Sequence, residues 1–119
     1  MSALAARSRL PRSESLKGRV AIDQLFREGR RLPGDSFTLL WRPADEFRYG
    51  VFVPRSCGKA HYRNRLKRLF REAIRLSRNQ LTVPGWVGIL ARPKADTPTV
   101  ETLIADVSRI FTRLSQQPR

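Results

Sequence analysis

The sequence has few of the residues that build disulfides, zinc sites and membrane spans. Cys57 is the only cysteine and His61 the only histidine among 119 residues, so an internal disulfide and the common zinc spacings are excluded. No stretch approaches the roughly 20 apolar residues of a membrane span, and residues 1–9 carry no apolar run typical of a signal peptide. These absences predict a cytoplasmic protein that has no membrane partner.

Acidic residues are also scarce, and this imbalance is the strongest signal in the composition. The chain has 10 Asp and Glu against 24 Lys and Arg, which gives a formal net charge of +14. A chain of this length forms one domain with a modest core, and such a charge on one domain indicates a polyanionic partner. Nucleic acid is the first candidate, because most of the cations are arginines, whose planar guanidinium groups bind phosphate in bidentate fashion.

The carboxylates form no catalytic pattern. A protein nuclease needs clustered carboxylates that hold metal, or an acid–base pair built on histidine. Asp45 and Glu46 fall in a predicted turn, and Glu101 suits a helix N-terminus. We therefore predict no catalytic residue and no metal site in the protein itself.

His61 and Cys57 each allow a functional and a structural interpretation. His61 precedes a basic helix and could contact phosphate or donate a proton, while cations near Cys57 could lower its pKa. A lone histidine without a partner motif is more often a surface or cap residue, and a lone thiol at a strand end is more often packed. We favour the structural interpretation for both.

The hydrophobic pattern divides the chain into three parts. Residues 1–12 are small and basic without periodicity, which predicts a flexible basic arm. Residues 13–115 carry regular patterns and form the predicted single domain, whereas residues 116–119 predict a frayed tail.

The first half of the domain predicts one helix followed by two strands. Apolar residues keep helical spacing over about 19–28, and Gly29 follows where a left-handed C-cap is expected. Runs of β-prone residues over 36–42 and 47–53 predict two strands joined by a short loop. We expect this pair to form an antiparallel hairpin.

The second half predicts a helix, a strand and a final helix. Helical periodicity runs over about 62–77, and the apolar run over 86–91 is typical of a central strand that is buried on both faces. Thr97 as N-cap and Pro98 as first helical residue begin the last helix. The element order predicts an α+β sandwich in which helices pack against a mixed sheet.

The helix over 62–77 has two opposed sectors of different chemistry at about 100° per residue. The apolar sector contains Leu66, Leu69, Phe70, Ala73 and Ser77, and the cationic sector contains Asn64, Lys67, Arg68, Arg71, Arg75 and Arg78. Stacked like charges repel, so the cationic sector lowers stability unless a polyanion or counterions are present. A solvated face usually mixes both signs, whereas here Glu72 alone breaks the run. The pattern favours phosphate binding over a merely soluble surface.

Five aromatic side chains also allow two interpretations. Aromatic rings provide stacking platforms for single-stranded RNA, but aromatics at alternating strand positions more often belong to a core. The pattern supports a stacking role for one or two of the five, which are Phe26, Phe37, Phe47, Tyr49 and Phe52.

The start of the basic helix resembles a specific family signature. The segment Arg63-Asn64-Arg65-Leu66-Lys67-Arg68 has the form R-N-R-hydrophobic-K-R and resembles the RNR signature of the bacterial ribonuclease P protein component. Further segments that match this family are Arg48 to Val53, Gly58 with Ala60, Ile89 to Pro93 and Phe26 to Gly29. The resemblance covers about residues 13–115.

The resemblance implies an αβββαβα fold of the type called ribosomal protein S5 domain 2-like. Its four-stranded mixed sheet contains a left-handed βαβ crossover through the basic helix, although crossovers are ordinarily right-handed. The sequence pattern shows only three strong strands. We expect the fourth near Arg31 or between Gly50 and Arg55.

The resemblance also implies a role in 5′ maturation of precursor tRNA, in which a large RNA subunit and its Mg²⁺ ions perform the hydrolysis. The residues expected to bind the RNA subunit are Arg63, Asn64, Arg65, Lys67, Arg68 and Arg71, and the cationic sector adds Arg75. The residues expected to line a cleft for the 5′ leader are Ile22, Phe26, Phe37, Leu40 and Arg55. The implied partners are ribonuclease P RNA and precursor tRNA, with no obligate protein partner.

Two features depart from the family pattern. Relatives often carry aromatics at the positions of Ile22 and Leu40, so van der Waals contact is expected to replace some stacking on the leader. The usual Ser-Lys-Lys-like run appears here as Pro54-Arg55-Ser56, which removes one cation and the hydroxyl at the first position.

Other functions share the basic composition. A basic ribosomal or RNA-chaperone protein with no role in cleavage is the main rival interpretation. An independent nuclease and a binder of double-stranded DNA are further alternatives.

Overall fold

The protein, described by a computed structural model over residues 10–93 and 96–116, has the predicted αβββαβα order. Its elements are α1 (Arg19–Glu28), β1 (Arg30–Pro33), β2 (Phe37–Pro43), β3 (Arg48–Phe52), α2 (Ala60–Ser77), β4 (Gly85–Ala91) and α3 (Val100–Gln116). Single-turn 3₁₀ helices lie at Arg12–Glu14, Arg55–Cys57 and Arg78–Gln80. β1 is the strand that the sequence pattern did not show clearly. It contains Arg31 and therefore lies at one of the two positions where this strand was expected.

The predicted arm and tail fall mostly outside the described residues. Residues 1–9 of the arm and 117–119 of the tail are not among them. Leu10 packs against the core and Arg12 begins the first 3₁₀ turn, so this end of the predicted arm is part of the domain. Gln116 is the last residue of α3.

The four strands form one mixed sheet in the order β1-β2-β4-β3. β4 pairs antiparallel with β2 and parallel with β3, which confirms its central position. The predicted hairpin of β2 with β3 is therefore wrong. All residues of β4 are apolar or glycine, so β4 occupies the interior place and separates the two. Strands lie roughly 4.8 Å apart, and a four-residue connection easily spans the resulting gap of about 10 Å.

Each face of the sheet carries its own core. The face covered by α2 and α3 holds the larger core, which includes Phe37, Leu39, Tyr49, Val87, Ile89, Phe70, Val107 and Phe111. The opposite face is crossed by α1 and holds the smaller core, in which Leu16, Leu25 and Leu40 are buried. Because one short helix covers this second face, part of the sheet beside it stays accessible.

Two helix ends differ from their predictions. α3 begins at Val100, and its N-cap is Thr99, whose Oγ1 accepts a hydrogen bond from the Thr102 N–H at 3.2 Å. The predicted cap, Thr97, instead places its hydroxyl 3.2 Å from that of Tyr62.

Gly29 ends α1 in an extended conformation, with φ −69°, and so is not the predicted left-handed cap. A Cβ at this position would lie 2.4 Å from the Leu25 carbonyl oxygen. Close approach of the backbone, rather than a positive φ, is what requires glycine here.

Candidate nucleic-acid interface

α2 is anchored by the apolar sector that the sequence predicts. Its buried residues are Leu66, Phe70, Ala73, Ile74 and Ser77. The Ser77 hydroxyl is fully buried but satisfied, because the Ser108 hydroxyl donates to it at 2.9 Å and it reaches the Ile104 carbonyl at 3.4 Å. These polar contacts fix the position of α2 along α3 and thereby orient the opposite, cationic side of the helix.

The basic row is the part of the cationic sector that the structure leaves accessible along α2. It consists of Asn64, Lys67, Arg68, Arg71 and Arg75. Asn64, Arg68 and Arg71 are exposed, whereas Lys67 and Arg75 are half-buried. At a rise of 1.5 Å per residue, the row extends for about 16 Å. It therefore offers several cations in line to a polyanion.

Arg63 and Arg65 of the RNR segment lie outside the basic row. Arg63 is half-buried, and its Nε donates a hydrogen bond to the Gly58 carbonyl at 3.1 Å. Gly58 has a φ of +136°, so this bond braces the turn at which the chain enters α2. Arg65 is exposed, but helical geometry puts it about 100° around the axis from Asn64. The signature thus points its side chains in different directions.

Among the described ion pairs, Arg75 is the one member of the basic row that is paired with an acid. Its Nε donates to Glu72 Oε1 at 3.0 Å and a terminal nitrogen donates to Oε2 at 2.5 Å. The hydrogen bond from Arg75 lowers the pKa of Glu72, and the same bond raises the pKa of Arg75. This pair leaves Arg75 with less uncompensated positive charge than Arg68 or Arg71.

Arg78, predicted in the cationic sector, is half-buried and packs against the domain instead. It follows the end of α2 and lies over the Phe47 ring, with Cζ 3.8 Å from the ring centroid. Burial lowers the pKa of its guanidinium. The cation–π contact and a 3.4 Å hydrogen bond to the Leu81 carbonyl occupy this side chain, so we exclude it from the interface.

Three of the residues expected to line the leader cleft, Ile22, Phe26 and Leu40, lie on the second face of the sheet or on α1. Ile22 and Phe26 are half-buried on the flank of α1. The Phe26 ring meets the Phe52 ring edge-on, with centroids 5.1 Å apart and planes at 68°. Leu40 is fully buried beneath α1 and supports this region from below. The structure thus brings Ile22 and Phe26 together with Phe52, which the sequence analysis did not assign to the cleft.

Phe37 is not part of this cleft. It is fully buried in the larger core on the other side of the sheet, where its ring packs edge-on against Phe70 at 5.6 Å. Side chains alternate between faces along a strand, so Phe37 and Leu40, three positions apart, point in opposite directions. Arg55 is exposed in the 3₁₀ turn that follows β3.

On the other flank of α1, Arg42 is paired with a carboxylate and an aromatic ring. The Arg42 guanidinium lies 5.1 Å from the centroid of the Trp86 ring, and its Nε pairs with Glu28 at 3.3 Å. No local sequence signal predicts this cluster, because its three residues come from three different elements. The positive charge of Arg42 is therefore balanced locally by Glu28.

Among the residues that the structure describes, neither Cys57 nor His61 has a catalytic partner. Burial raises the pKa of the Cys57 thiol, with Arg63 acting in the opposite direction, so the thiol is not activated as a nucleophile. His61 is exposed in the first turn of α2. Within residues 10–93 and 96–116, no three His, Cys, Asp or Glu side chains are grouped to hold a metal ion. None of the helices in that part of the chain is long and apolar enough to span a bilayer.

The fold and the basic row define a small α+β domain built to present an exposed cationic helix. The family model described as Ribonuclease P matches residues 10–115. The chain belongs to this family of ribonuclease P proteins.

Similar proteins agree with that assignment. The ribonuclease P protein component of Thermus scotoductus is 38% identical over 96 residues, which cover 80% of this chain and 56% of that protein. The ribonuclease P protein component of an Exiguobacterium strain is 35% identical over 91 residues, which cover 75% of this chain and 79% of that protein. The solved ribonuclease P protein of Thermotoga maritima is similar with a TM-score of 0.73 and 28% identity, covering 84% of this chain and 96% of that one. This confirms the predicted four-stranded α+β fold.

Proposed function

We propose that this chain is the protein subunit of a ribonuclease P ribonucleoprotein and assists 5′ maturation of precursor tRNA. The chain spans only 56% of the length of the Thermus scotoductus relative, so the activity and partners of the whole protein are carried over as proposals. The observation that supports them most strongly is the presence of two different RNA-compatible surfaces, the basic row and the cleft, on one domain of this family.

The basic row suits a folded RNA subunit. Its exposed cations stand on a rigid helix, and phosphate contacts made by such cations release counterions from the RNA. Arg68 and Arg71 are the main expected ligands, with Asn64 as a neutral hydrogen-bonding partner. Arg65 contributes from the adjacent flank, while Arg63 and Arg75 are partly committed to Gly58 and Glu72.

The cleft suits the single-stranded 5′ leader. Aromatic faces bind unpaired bases by stacking, and such binding tolerates different sequences. Phe26 and Phe52 supply half-buried rings, and Ile22 supplies the van der Waals contact expected where relatives carry an aromatic. Arg55 stands exposed just after β3 and offers a cation for the leader backbone.

The proposal leaves the hydrolysis to the RNA subunit and its Mg²⁺ ions. Mg²⁺ prefers carboxylate and phosphate oxygens, whereas the basic row offers guanidinium and ammonium groups that repel a divalent cation. The residues of the interface therefore do not fit the metal. Their expected effect is indirect, because cations that hold two RNA molecules together reduce the Mg²⁺ needed for their association.

A reconstitution experiment tests this proposal. The chain is mixed with a ribonuclease P RNA and a precursor tRNA at low Mg²⁺, and the RNA alone at high Mg²⁺ serves as the positive control. We expect the protein to restore cleavage at the mature 5′ end and to cut nothing without the RNA. Binding without restored cleavage would favour the RNA-chaperone alternative, and reproducible cleavage by the protein alone would favour an independent nuclease.

A further inference from the structure

The N-terminal strap is the segment from Leu10 to Leu16, which runs along the open edge of the sheet. β3 is an edge strand, and such a strand leaves backbone groups unpaired on its outer side. Ser15 forms a parallel bridge to Tyr49, and the Leu16 N–H donates to the Tyr49 carbonyl at 2.7 Å. The strap therefore covers part of the edge of β3 that faces away from β4.

The two ends of the strap are anchored on opposite faces of the sheet. Leu10 packs against the larger core, whereas Leu16 is buried in the smaller core, with 8% of its surface exposed. α1 begins shortly after Leu16, at Arg19, and Gly18, with a φ of +90°, makes the turn into the helix. The place where the strap leaves the edge of β3 thus sets where α1 enters the second face.

Two adjacent residues of β3 hold the strap. One terminal nitrogen of the Arg48 guanidinium donates to the Ser13 carbonyl, and the other pairs with Glu46. The Tyr49 hydroxyl donates to the Pro11 carbonyl at 3.5 Å, which is a long contact, whereas the bonds of Arg48 are charge-assisted and therefore stronger. Arg48 begins a segment that matches the family pattern, yet neither proposed RNA surface uses it.

α1 depends on such outside contacts more than α2 does. Its one fully buried residue is Leu25, whereas α2 buries five residues and is also joined to α3 through Ser77. A short helix with so little buried surface of its own is held in place largely by the rest of the fold. Release of the strap should therefore loosen α1 and leave the basic row of α2 in place.

We propose that Arg48 is a positioning residue for leader binding, because it holds the strap on β3 and thereby fixes α1 on the sheet. The inference rests on the proposed function, which places the 5′ leader beside Phe26 of α1. The edge-on contact of Phe26 with Phe52, at 5.1 Å between centroids, exists only while α1 keeps this position. Arg48 acts through the strap and needs no contact of its own with RNA.

The affinity of the assembled holoenzyme for precursor tRNA, divided by its affinity for the same tRNA without a leader, tests this inference. We expect Arg48→Ala to lower this ratio about fivefold or more, the contribution of one stacked base. Its affinity for the RNA subunit should stay at the wild-type value, which also shows that the variant is folded. An unchanged ratio in Arg48→Ala would overturn the inference.

Arg12→Ala is the matched control for the loss of one positive charge. Arg12 is an exposed cation of the strap itself, and its side chain makes no ion pair or hydrogen bond within the described residues. The control should keep the wild-type ratio. An equal loss in Arg12→Ala and Arg48→Ala would mean that charge alone matters, and the inference would fail.

Arg48→Lys separates positioning from direct contact with RNA. Lysine keeps the charge but cannot reproduce the planar fork that bonds Ser13 and Glu46 together, so this variant should lose the leader-dependent gain as Arg48→Ala does. A phosphate contact that needs only a cation would survive in Arg48→Lys. Full retention of the gain would therefore show that Arg48 binds the leader directly, against the proposal.

Leu10→Ala tests the strap from the face where no leader is proposed to bind. It should lower the same ratio, and its effect should combine with that of Arg48→Ala non-additively, because both changes release one segment; simple addition would contradict this. Hydrogen exchange of the free Arg48→Ala protein should be faster in α1 and unchanged in α2. Unchanged exchange in α1 would overturn the role of Arg48 alone, whereas absence of a leader-dependent gain in wild type would refute the proposed function itself.

Discussion

Removal of one cation from the basic row gives a quantitative test of the proposed contact with the RNA subunit. Arg68 is exposed on α2 and makes no ion pair within the described residues, so Arg68→Ala should change the free energy of unfolding by no more than about 0.5 kcal/mol. One phosphate contact contributes about −0.7 to −0.9 to the slope of log affinity against log salt. The ratio of the wild-type affinity to the variant's affinity for the RNA should therefore fall about threefold between roughly 50 and 200 mM salt.

The assay is the dissociation constant for ribonuclease P RNA measured over a series of salt concentrations. Arg113→Ala is the matched control, because Arg113 is exposed in the last turn of α3, outside the basic row, and its loss changes the net charge equally. We expect the control to keep the wild-type slope. A wild-type slope for Arg68→Ala would remove Arg68 from the interface, and equal changes in both variants would mean that net charge alone determines binding.

Three further predictions concern stability. Leu25→Ala should lower the free energy of unfolding by about 2–5 kcal/mol, because Leu25 is fully buried in the smaller core. Hydrogen exchange of this variant should show α1 losing protection before α2. Uniform loss of protection would contradict the separation of the two cores. Glu72→Gln should destabilise the protein by only about 0.3–0.5 kcal/mol near neutral pH, since the pair is partly exposed. Because the pKa of Glu72 is lowered in the folded state, the carboxylate stabilises the fold at pH values above its ordinary pKa. This stabilisation is lost as the pH falls through the lowered pKa, so the denaturation curves of variant and wild type should converge there. Sulfate should raise the melting temperature of wild type more than that of Arg71→Gln, because the variant lacks one of the stacked cations to which sulfate is expected to bind. Equal shifts in the two proteins would mean that the basic row does not bind anions specifically.

The sequence by itself determined the elements that depend on local periodicity. Helical spacing of apolar residues placed α1 and α2 within two residues of their observed ends, and the same spacing placed the cations of the basic row opposite the buried sector. Both results follow from the 3.6-residue period, which a single segment carries without information from the rest of the chain. The signature at Arg63 to Arg68 then indicated the family, which the family model confirms.

Strand pairing was decided only by the tertiary structure. The short connection between β2 and β3 is compatible with a hairpin, and sequential strands often do pair. β4 nevertheless lies between them. All its residues are apolar or glycine, so the fold is less stable when β4, rather than a more polar strand, lies at the edge of the sheet and meets water. This competition involves residues more than 30 positions apart, and no local pattern records it.

The tertiary structure also decided which apolar side chains of the sheet share a face with α1. Alternation along β2 puts Phe37 and Leu40 on opposite faces of the sheet, and alternation along β3 does the same for Tyr49 and Phe52. Because both faces are apolar, the sequence does not show which face α1 covers. The structure puts α1 over Leu40, leaves Phe52 at the accessible border and buries Phe37 beneath α2. The cations of α2 could therefore be identified from their order in the chain, whereas the contact between the Phe26 and Phe52 rings could not, because it depends on how α1 packs on the sheet.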